Sequence, residues 1–193
     1  MYIGSKRGII SQFERYSLYL SFEPEVWAEL AAQVKPTSYR RGEIIRPGGD
    51  TSARITIMLS GVAQVGTVLQ SVRGIVTHII GPGAVWGMPS TYADDVTLPT
   101  RTSLTAMSEC EVCHVPRHIL LQWVEKDRRN YEHIIHHECR KSLVFVQHIE
   151  LLSIPTVRCL IATLLLSLRS SVGEDCEEGL RIPLRLTHQQ IAD

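Results

Sequence analysis

The feature that most limits what this chain can fold into is the spacing of its turn residues between positions 37 and 115. Short runs rich in β-branched residues alternate there with turn signals at Pro47-Gly48-Gly49-Asp50, Ser60-Gly61, Gly74 and Gly81-Pro82-Gly83. Strands separated by turns about every 8–12 residues are typical of a compact all-β barrel or sandwich. We therefore predict an antiparallel β-roll over residues 37–115. The side chains expected in its core are Ile44, Ile57, Leu59, Val65, Ile79 and Val112.

Four glycines stand where the predicted strands reverse direction, namely Gly42, Gly49, Gly61 and Gly83. Reversals of this kind often need a positive φ, which glycine adopts without a steric penalty. We expect these glycines to form turns rather than to contact a ligand.

Segments with helical periodicity precede and follow the predicted roll in the sequence. Short helices are predicted at residues 23–34 and 117–126, and Asp127 is a suitable N-cap for a long helix that runs to about Leu152. The long helix carries a stripe at alternating steps of four and three residues, which is typical of a seam with a partner helix. The members of the stripe are Ile135, Cys139, Ser142, Val146 and Ile149. The stripe predicts a symmetric homodimer.

The segment after Pro155 has the pattern of a further helix, an acidic turn at 174–179 and a strand at 180–186. Thr187 and Gln190 then have the spacing of a capping box, which predicts that another helix begins at about His188. The sequence ends at Asp193, barely one turn into that helix, and so short a helix is not stable alone. We therefore expect that the rest of this helical motif lies beyond Asp193 or has been lost.

The composition predicts a cytoplasmic protein with no membrane segment. Apolar residues make up 44% of the 193 residues, and the formal net charge is zero. The longest apolar stretch, residues 159–168, is too short to cross a bilayer, and the N-terminus lacks the apolar segment of a secretory signal. Five cysteines, an odd number, fit reduced thiols better than a disulfide framework.

Several short motifs follow one another in an order that is informative as a set. Arg41-Gly42-Glu43, Gly49-Asp50, Leu59-Ser60-Gly61, Gly81-Pro82-Gly83 and Gly87 resemble the glycine skeleton of cyclic-nucleotide-binding domains. The long helix, the helix after Pro155 and the final segment, residues 186–193, follow in the order of the Crp/Fnr transcription regulators, which the whole chain resembles.

This resemblance implies an α+β fold, with an antiparallel β-roll, a long dimerisation helix and the start of a winged helix-turn-helix domain. The implied parts are an effector-sensing domain at 1–127, the dimerisation helix at 128–153 and an incomplete DNA-binding domain at 154–193. The implied function is that of an effector-responsive, DNA-binding transcription regulator.

The resemblance also implies an effector site, whose residues here are Gly87, Met88, Arg101, Thr102, Val144 and Phe145. In cyclic-nucleotide binders a glutamate next to the glycine holds the ribose, whereas Met88 offers a ribose hydroxyl no suitable acceptor. Arg101 is the candidate for the family's phosphate-binding arginine, although it lies one residue closer to the Cys110 strand than the family spacing. The lid positions Val144 and Phe145 are apolar. We therefore expect an effector less polar than cyclic AMP, with one carboxylate or phenolate for Arg101, or no ligand at all.

DNA recognition in the family uses the second helix of the helix-turn-helix. Thr187, His188 and Gln189 stand at the start of the first helix, and the reading helix is not among these residues. Four arginines stand against five acidic residues after Pro155, so few phosphates can be neutralised. We expect no sequence-specific DNA binding by the 193-residue chain, and operator binding as a dimer by a form extended through the reading helix.

The remaining groups of polar residues do not indicate a catalytic or metal site. The sequence has no enzyme signature, and we expect neither catalysis nor a cofactor. Cys110 and Cys113 lie in a predicted strand, where residues three apart point to opposite faces, so we expect one thiol inside the roll and one outside. His133 and His137 share a helix face at a metal-binding spacing, but we expect a polar flank beside the seam and no metal. A stand-alone effector-binding or dimerising module without a DNA role is the second candidate function.

Overall fold

The computed structural model describes residues 19–20, 24–69, 72–92, 102–152, 156–172, 174–177 and 179–182. The chain divides into two compact units, one spanning Leu20–His137 and the other spanning Glu138–Ala192 together with Met1–Tyr19. The division falls inside a helix, between His137 and Glu138. The predicted domain limits at residues 127 and 153 stay predictions.

The described elements alternate as the turn pattern predicts. The strands are β1 (Tyr19–Leu20), β2 (Thr37–Tyr39), β3 (Ile44–Arg46), β4 (Arg54–Ser60), β5 (Ala63–Leu69), β6 (Val72–Ile80), β7 (Val85–Trp86), β8 (Thr102–Ala106), β9 (Cys110–Pro116), β10 (Glu174–Cys176) and β11 (Gly179–Arg181). The helices are α1 (Pro24–Ala31), α2 (Met88–Tyr92), α3 (Arg117–Lys126), α4 (Arg128–Leu152) and α5 (Val157–Val172).

Two antiparallel sheets make up the roll. One sheet has the strand order β1-β6-β5-β8-β3 and the other has the order β2-β9-β4-β7. The predicted turn glycines all have positive φ, between 80° and 88°. At Gly61 the need for glycine is steric as well, because a Cβ there would lie 2.1 Å from the carbonyl oxygen of Glu109. The predicted antiparallel β-roll is confirmed.

Helices α1 and α3 cover one face of the β2-β9-β4-β7 sheet. Ile55, Ile57 and Val115 point to that face and form an apolar cluster with Trp27 and Trp123. The two indole rings lie 5.6 Å apart between centroids. Each of these buried side chains stabilises the fold by about 1.5–3 kcal/mol. Because strand side chains alternate, the residues between them on β4 and β9 face the interior of the roll.

The long helix α4 begins where the sequence places it. Asp127 accepts a 2.9 Å hydrogen bond from the backbone N–H of Arg129, as an N-cap does. Asn130 donates from Nδ2 to the carbonyl oxygen of Trp123 at 2.6 Å, and the His137 ring meets the edge of Trp27 at 5.5 Å. The first three turns of α4 are therefore fixed to the roll by specific contacts.

The prediction that Ile44 belongs to the core is wrong, since its side chain is 60% exposed. The pairing of β3 with β8 shifts register between Ile44 and Arg46, which brings the consecutive residues Ile45 and Arg46 inside. A bulge of this kind reverses the simple alternation of faces. Of the other predicted core residues, Ile57, Val65, Ile79 and Val112 are buried and Leu59 is half-buried.

The expectation of one inner and one outer thiol is also wrong, because Cys110 and Cys113 are both buried. The two side chains do point to opposite faces, but α1 covers the face that Cys113 occupies, and its thiol lies 3.6 Å from the carbonyl oxygen of Ala31. Burial raises the pKa of both thiols, so neither is a reactive thiolate.

The second unit contains the rest of α4, helix α5 and a short hairpin. The hairpin pairs β10 with β11, from Glu174 opposite Arg181 to Cys176 opposite Gly179. The prediction of a turn over 174–179 is therefore wrong, because residues 174–176 form a strand. The predicted strand at 180–186 overlaps β11, and residues 183–186 lie outside the described part of the chain. Among the described residues, no helix is long and apolar enough to cross a membrane.

Candidate functional site

The turn at Gly87 connects β7 to the short helix α2, which is where the resemblance places the start of the effector site. Gly87 has a φ of 102°, and a Cβ at this position would lie 2.0 Å from Nη1 of Arg46. The hydroxyl of Thr91 donates a 2.9 Å hydrogen bond to the carbonyl oxygen of Gly87. Only glycine fits this turn without displacing the guanidinium beneath it.

Arg46 is 4% exposed and is held by three acceptors. Its Nε donates to Asp50 at 3.0 Å, its Nη1 donates to the carbonyl oxygen of Arg54 at 2.8 Å, and its Nη2 donates to that of Ser52 at 3.0 Å. Removing a buried guanidinium of this kind leaves its acceptors unsatisfied. Arg46 therefore joins the β3–β4 loop to the Gly87 turn.

The electrostatics around Arg46 follow from burial and from paired charges. Burial alone raises the pKa of Asp50, but hydrogen bonds from Ser52 and the charges of Arg46 and Arg54 outweigh it and lower this pKa to about 2. His114 lies nearby, and burial, reinforced by the charges of Arg54 and Arg46, lowers the pKa of its imidazole to about 4. Near neutral pH the loop therefore holds a carboxylate, and the roll holds a neutral imidazole.

The neutral ring of His114 connects two strands of its sheet. Its Nε2 lies 2.9 Å from the hydroxyl of Tyr39, and its Nδ1 lies 3.1 Å from the hydroxyl of Thr56. A neutral imidazole has one donor and one acceptor, and these match two hydroxyl groups. The register places Thr56 between His114 and Trp86, so these three side chains form a row on the interior face of the sheet.

A second row crosses the other sheet. The register pairs His78 with Val65, Val65 with Leu104, and Leu104 with Arg46. Residues directly opposite one another in antiparallel strands share a face. All four side chains are at most 4% exposed. The row therefore has polar residues at its two ends and apolar residues between them.

The two rows meet through their aromatic rings. The centroids of His78 and Trp86 lie 6.3 Å apart with the rings tilted by 42°. Trp86 directly precedes Gly87 and is half-buried, whereas His78 is 1% exposed. The Gly87 turn therefore has a buried imidazole next to it on one side and a buried guanidinium beneath it.

The structure describes some of the predicted effector residues. Gly87 directly precedes α2 and Met88 begins it, whereas Thr102 begins β8 opposite Thr67, on the same face as Leu104. Met88 is 3% exposed and belongs to the apolar cluster under α1 and α3. Arg101 lies outside the described residues.

The remaining predicted residues lie on α4 or after it. Val144 is half-buried and Phe145 is 38% exposed, and their lid role stays a prediction. All five seam residues are exposed, with Ile135 at 61%, Val146 at 52% and Ile149 at 65%. Thr187, His188 and Gln189 lie outside the described residues. An exposed apolar stripe on a helix fits a partner helix, so the seam also stays a prediction.

Sequence reasoning missed Arg46, His78 and Trp86. A signal for Arg46 was available, because an arginine in an apolar strand needs a charged partner if it is buried, and Asp50 follows four residues later. His78 has no such local signal, since only the strand register places it inside. A separate open hollow of about 680 Å³ lies between Tyr39, Glu43, Glu109 and Glu111, and none of the predicted effector residues lines it.

Comparison with known proteins agrees with this geometry. Residues 36–127 match the family model described as the cyclic nucleotide-binding domain. The chain is 24% identical over 178 residues to the "CRP-like cAMP-activated global transcriptional regulator" of Mycobacterium tuberculosis, covering 92% of this chain and 78% of that protein.

Solved structures of regulators have the same fold. The global regulator CLP of Xanthomonas campestris superposes with a TM-score of 0.69 at 16% identity, over 88% of this chain and 83% of CLP. CprK in complex with o-chlorophenolacetic acid superposes with a TM-score of 0.60 at 14% identity, over 93% of this chain and 74% of CprK.

Residues 36–127 therefore form a domain of the cyclic nucleotide-binding type. The chain is similar in sequence and in fold to regulators of the Crp/Fnr type, and the resemblance in its motifs is confirmed.

Proposed function

We propose that this chain is the sensor part of an effector-responsive, DNA-binding transcription regulator, and that its effector is a small molecule other than cyclic AMP. The observation that carries this proposal is the position of Met88. Its side chain lies in the apolar cluster with Trp27 and Val85, at the position where a cyclic-nucleotide binder has its ribose-binding carboxylate. The site therefore lacks that acceptor, and a ribose hydroxyl placed there would lose a hydrogen bond.

Relatives of the same fold respond to chemically different molecules. The Mycobacterium protein is described as cAMP-activated, CLP as responsive to c-di-GMP, and CprK was solved with o-chlorophenolacetic acid. Likeness to one cAMP-activated regulator therefore does not assign cyclic AMP to this chain. We propose a less polar ligand with one anionic group, contacted by residues from the set Gly87, Arg101, Thr102, Val144 and Phe145, because the side chain of Met88 is taken up by the core.

The proposed DNA role depends on a symmetric dimer. The exposed stripe on α4 has the alternating four- and three-residue spacing of a two-helix seam, and Ile135, Val146 and Ile149 give it an apolar surface. A two-fold pair presents two reading helices to the two halves of a palindromic site. Effector binding in the roll would then act on DNA through the helix that connects the two units.

A gel shift tests this function directly. The 193-residue chain and a form extended past Asp193 through the reading helix and wing are incubated with DNA from upstream of the protein's own gene. We expect specific retardation only by the extended form, with an affinity that falls steeply as salt rises. Specific retardation by the short chain would contradict the expected division of roles. Failure of the extended form across candidate effectors would favour a stand-alone effector-binding or dimerising module.

A further inference from the structure

The open hollow of about 680 Å³ on the roll is lined by residues from the edges of both sheets. Tyr39 ends β2, the terminal strand of the β2-β9-β4-β7 sheet, and Glu43 directly precedes β3, the terminal strand of the other sheet. Among the described strands, β2 pairs only with β9 and β3 only with β8, so each has an open outer edge. A hollow of this volume is large enough for a short segment of another chain.

Strand pairing and a hydrogen-bonded turn hold the walls of the hollow. Ser38 on β2 and Ser60 on β4 both pair with Glu111 on β9, which brings three strands to one place. The turn after β2 is closed by the backbone N–H of Arg40, which donates a 2.7 Å hydrogen bond to the carboxylate of Glu43. The backbone N–H of Glu43 donates in return to the carbonyl oxygen of Arg40 at 3.0 Å. The shape of the hollow is therefore set by the fold.

The charges that line the hollow indicate the chemistry of what it can bind. The carboxylates of Glu43, Glu109 and Glu111 stand against the single guanidinium of Arg40, which gives a formal net charge of −2. Glu109 and Glu111 are exposed, and within the described part of the chain their carboxylates take part in no hydrogen bond or ion pair. Ionised carboxylates only accept hydrogen bonds, and a guanidinium donates in a fork that matches them. An arginine side chain therefore complements this lining.

Two further side chains favour a peptide over a simple cation. Tyr39 is half-buried and lines the hollow, and an aromatic ring attracts a cation placed over its face. Ile44 follows Glu43 in the chain and is 60% exposed. Among the roll residues whose side chains the structure describes, Ile44 is the one large apolar side chain that is exposed. An apolar residue beside a polar, charged surface is typical of a protein interface.

We propose that this hollow is a docking surface for a basic, extended segment of a partner protein. An arginine of the segment is bound by Glu109 and Glu111, and a neighbouring apolar side chain of the segment covers Ile44. An extended segment fits because the outer edge of β2 is open, and extended peptides are bound at such edges. The surface uses none of the predicted effector residues, so the proposal does not depend on the proposed function.

Fluorescence anisotropy with a matched pair of peptides tests the surface on the full 193-residue chain. The probe is a short labelled peptide, blocked at both ends, in which arginine alternates with isoleucine. Its control has citrulline in place of arginine, which keeps the size and shape but removes the charge. We expect saturable binding of the arginine peptide that weakens as salt rises, and binding of the citrulline peptide that is roughly tenfold weaker. Equal affinity for the two peptides, or no saturable binding of the arginine peptide, overturns the proposal.

Variants with matched charge assign the binding to the hollow. The double variant Glu109→Gln/Glu111→Gln should weaken binding of the arginine peptide by roughly five- to tenfold, and Ile44→Ser by roughly threefold. The control Glu125→Gln/Glu132→Gln removes two exposed carboxylates that do not line the hollow, and it should bind like the wild type. All of these side chains are exposed, so we expect far-UV circular dichroism to show that each variant folds. Wild-type affinity in the first double variant or in Ile44→Ser, or an equal loss in the control, overturns the proposal.

Two other occupants of the hollow are distinguished by the same proteins. If spermidine displaces the arginine peptide at an equal concentration, the hollow binds small polyvalent cations. If Glu109→Gln/Glu111→Gln sediments differently from the wild type, the hollow binds a second copy of this chain. Either result overturns the proposal, whereas displacement only by a large excess of spermidine, together with unchanged sedimentation, supports a partner segment.

Discussion

The guanidinium of Arg46 lies so close beneath Gly87 that a Cβ on Gly87 would come within 2.0 Å of Nη1. The contact joins the loop after β3 to the first residue of the turn between β7 and α2. Arg46 is fixed in turn by Asp50 and by two backbone carbonyls, so it has little room to move away. Any side chain at position 87 must therefore distort either the turn or this buried ion pair.

Gly87→Ala is the direct test of that contact. We expect the free energy of unfolding to fall by about 2–6 kcal/mol, because backbone strain at positive φ and overpacking against Arg46 each cost about 1–3 kcal/mol. Gly49→Ala is the matched control, since Gly49 has a φ of 81° but nothing within 4 Å of its Cβ position. Denaturant unfolding of both variants measures the difference. Equal losses of unfolding free energy in the two variants would mean that Arg46 moves aside and that its contact with Gly87 does not stabilise the turn.

The pKa of His114 predicts a dependence of stability on pH. Its pKa is lowered from 6.5 to about 4 in the folded chain, so the unfolded chain takes up the proton first as the pH falls. The stabilising contribution is therefore complete above pH 6.5 and is lost as the pH falls toward 4, by about 1–3 kcal/mol. Asp50 adds a further loss between pH 3.8 and about 2, because its pKa is also lowered.

His114→Gln isolates this contribution from the other histidines. Urea unfolding at pH 7.5 and at pH 4.5 should show a smaller acid loss in His114→Gln than in the wild type. The exposed His118 provides the control His118→Gln, which should retain the wild-type loss. The same pH slope in all three proteins would show that His114 is not held neutral by the fold.

Much of this fold was predictable because its signals are local. The turn glycines, the runs between them and the N-cap at Asp127 each depend on a few neighbouring residues, and helices α3 and α4 occupy the predicted ranges. Ile44 was mispredicted because a register shift against β8 exchanges the two faces, and the sequence has no local mark of that shift. The burial of Cys113 likewise depends on α1, which is distant in sequence.

The site was less predictable than the fold for the same reason. Gly87 and Met88 were identified through motif order, whereas His78 becomes a candidate only when the pairing of β5 and β6 is known. Arg46 requires the conformation of a loop that brings three acceptors to one guanidinium. Interactions formed by register and by loop shape are set by the tertiary structure rather than by spacing.

The burial of Met88 gives a prediction about the turn at Gly87. Met88→Glu would place a carboxylate in the apolar cluster with Trp27, so we expect it to lower the free energy of unfolding by about 3 kcal/mol or more and to create no cyclic AMP site. Met88→Leu conserves the volume and should cost less than about 1.5 kcal/mol. Thermal unfolding of both variants measures this contrast. A Met88→Glu variant as stable as Met88→Leu would show that position 88 is open to solvent.

The stripe on α4 predicts how the chain assembles. We expect the wild type to sediment as a dimer and Val146→Glu as a monomer, because the substitution places two like charges across a two-fold seam. His133→Glu is the control, since His133 is exposed on the same helix but lies outside the stripe. A Val146→Glu variant that remains dimeric would show that the dimer interface lies elsewhere. A monomeric His133→Glu variant would show that the interface also includes His133.

The effector class is tested most directly by one calorimetric titration. Cyclic AMP is titrated into the folded 193-residue chain at concentrations up to the millimolar range. Because Met88 lies in the core and leaves the turn without a ribose acceptor, we predict no saturable heat of binding. Saturable binding of cyclic AMP with a Kd in the micromolar range would contradict the proposal that this sensor has a different effector.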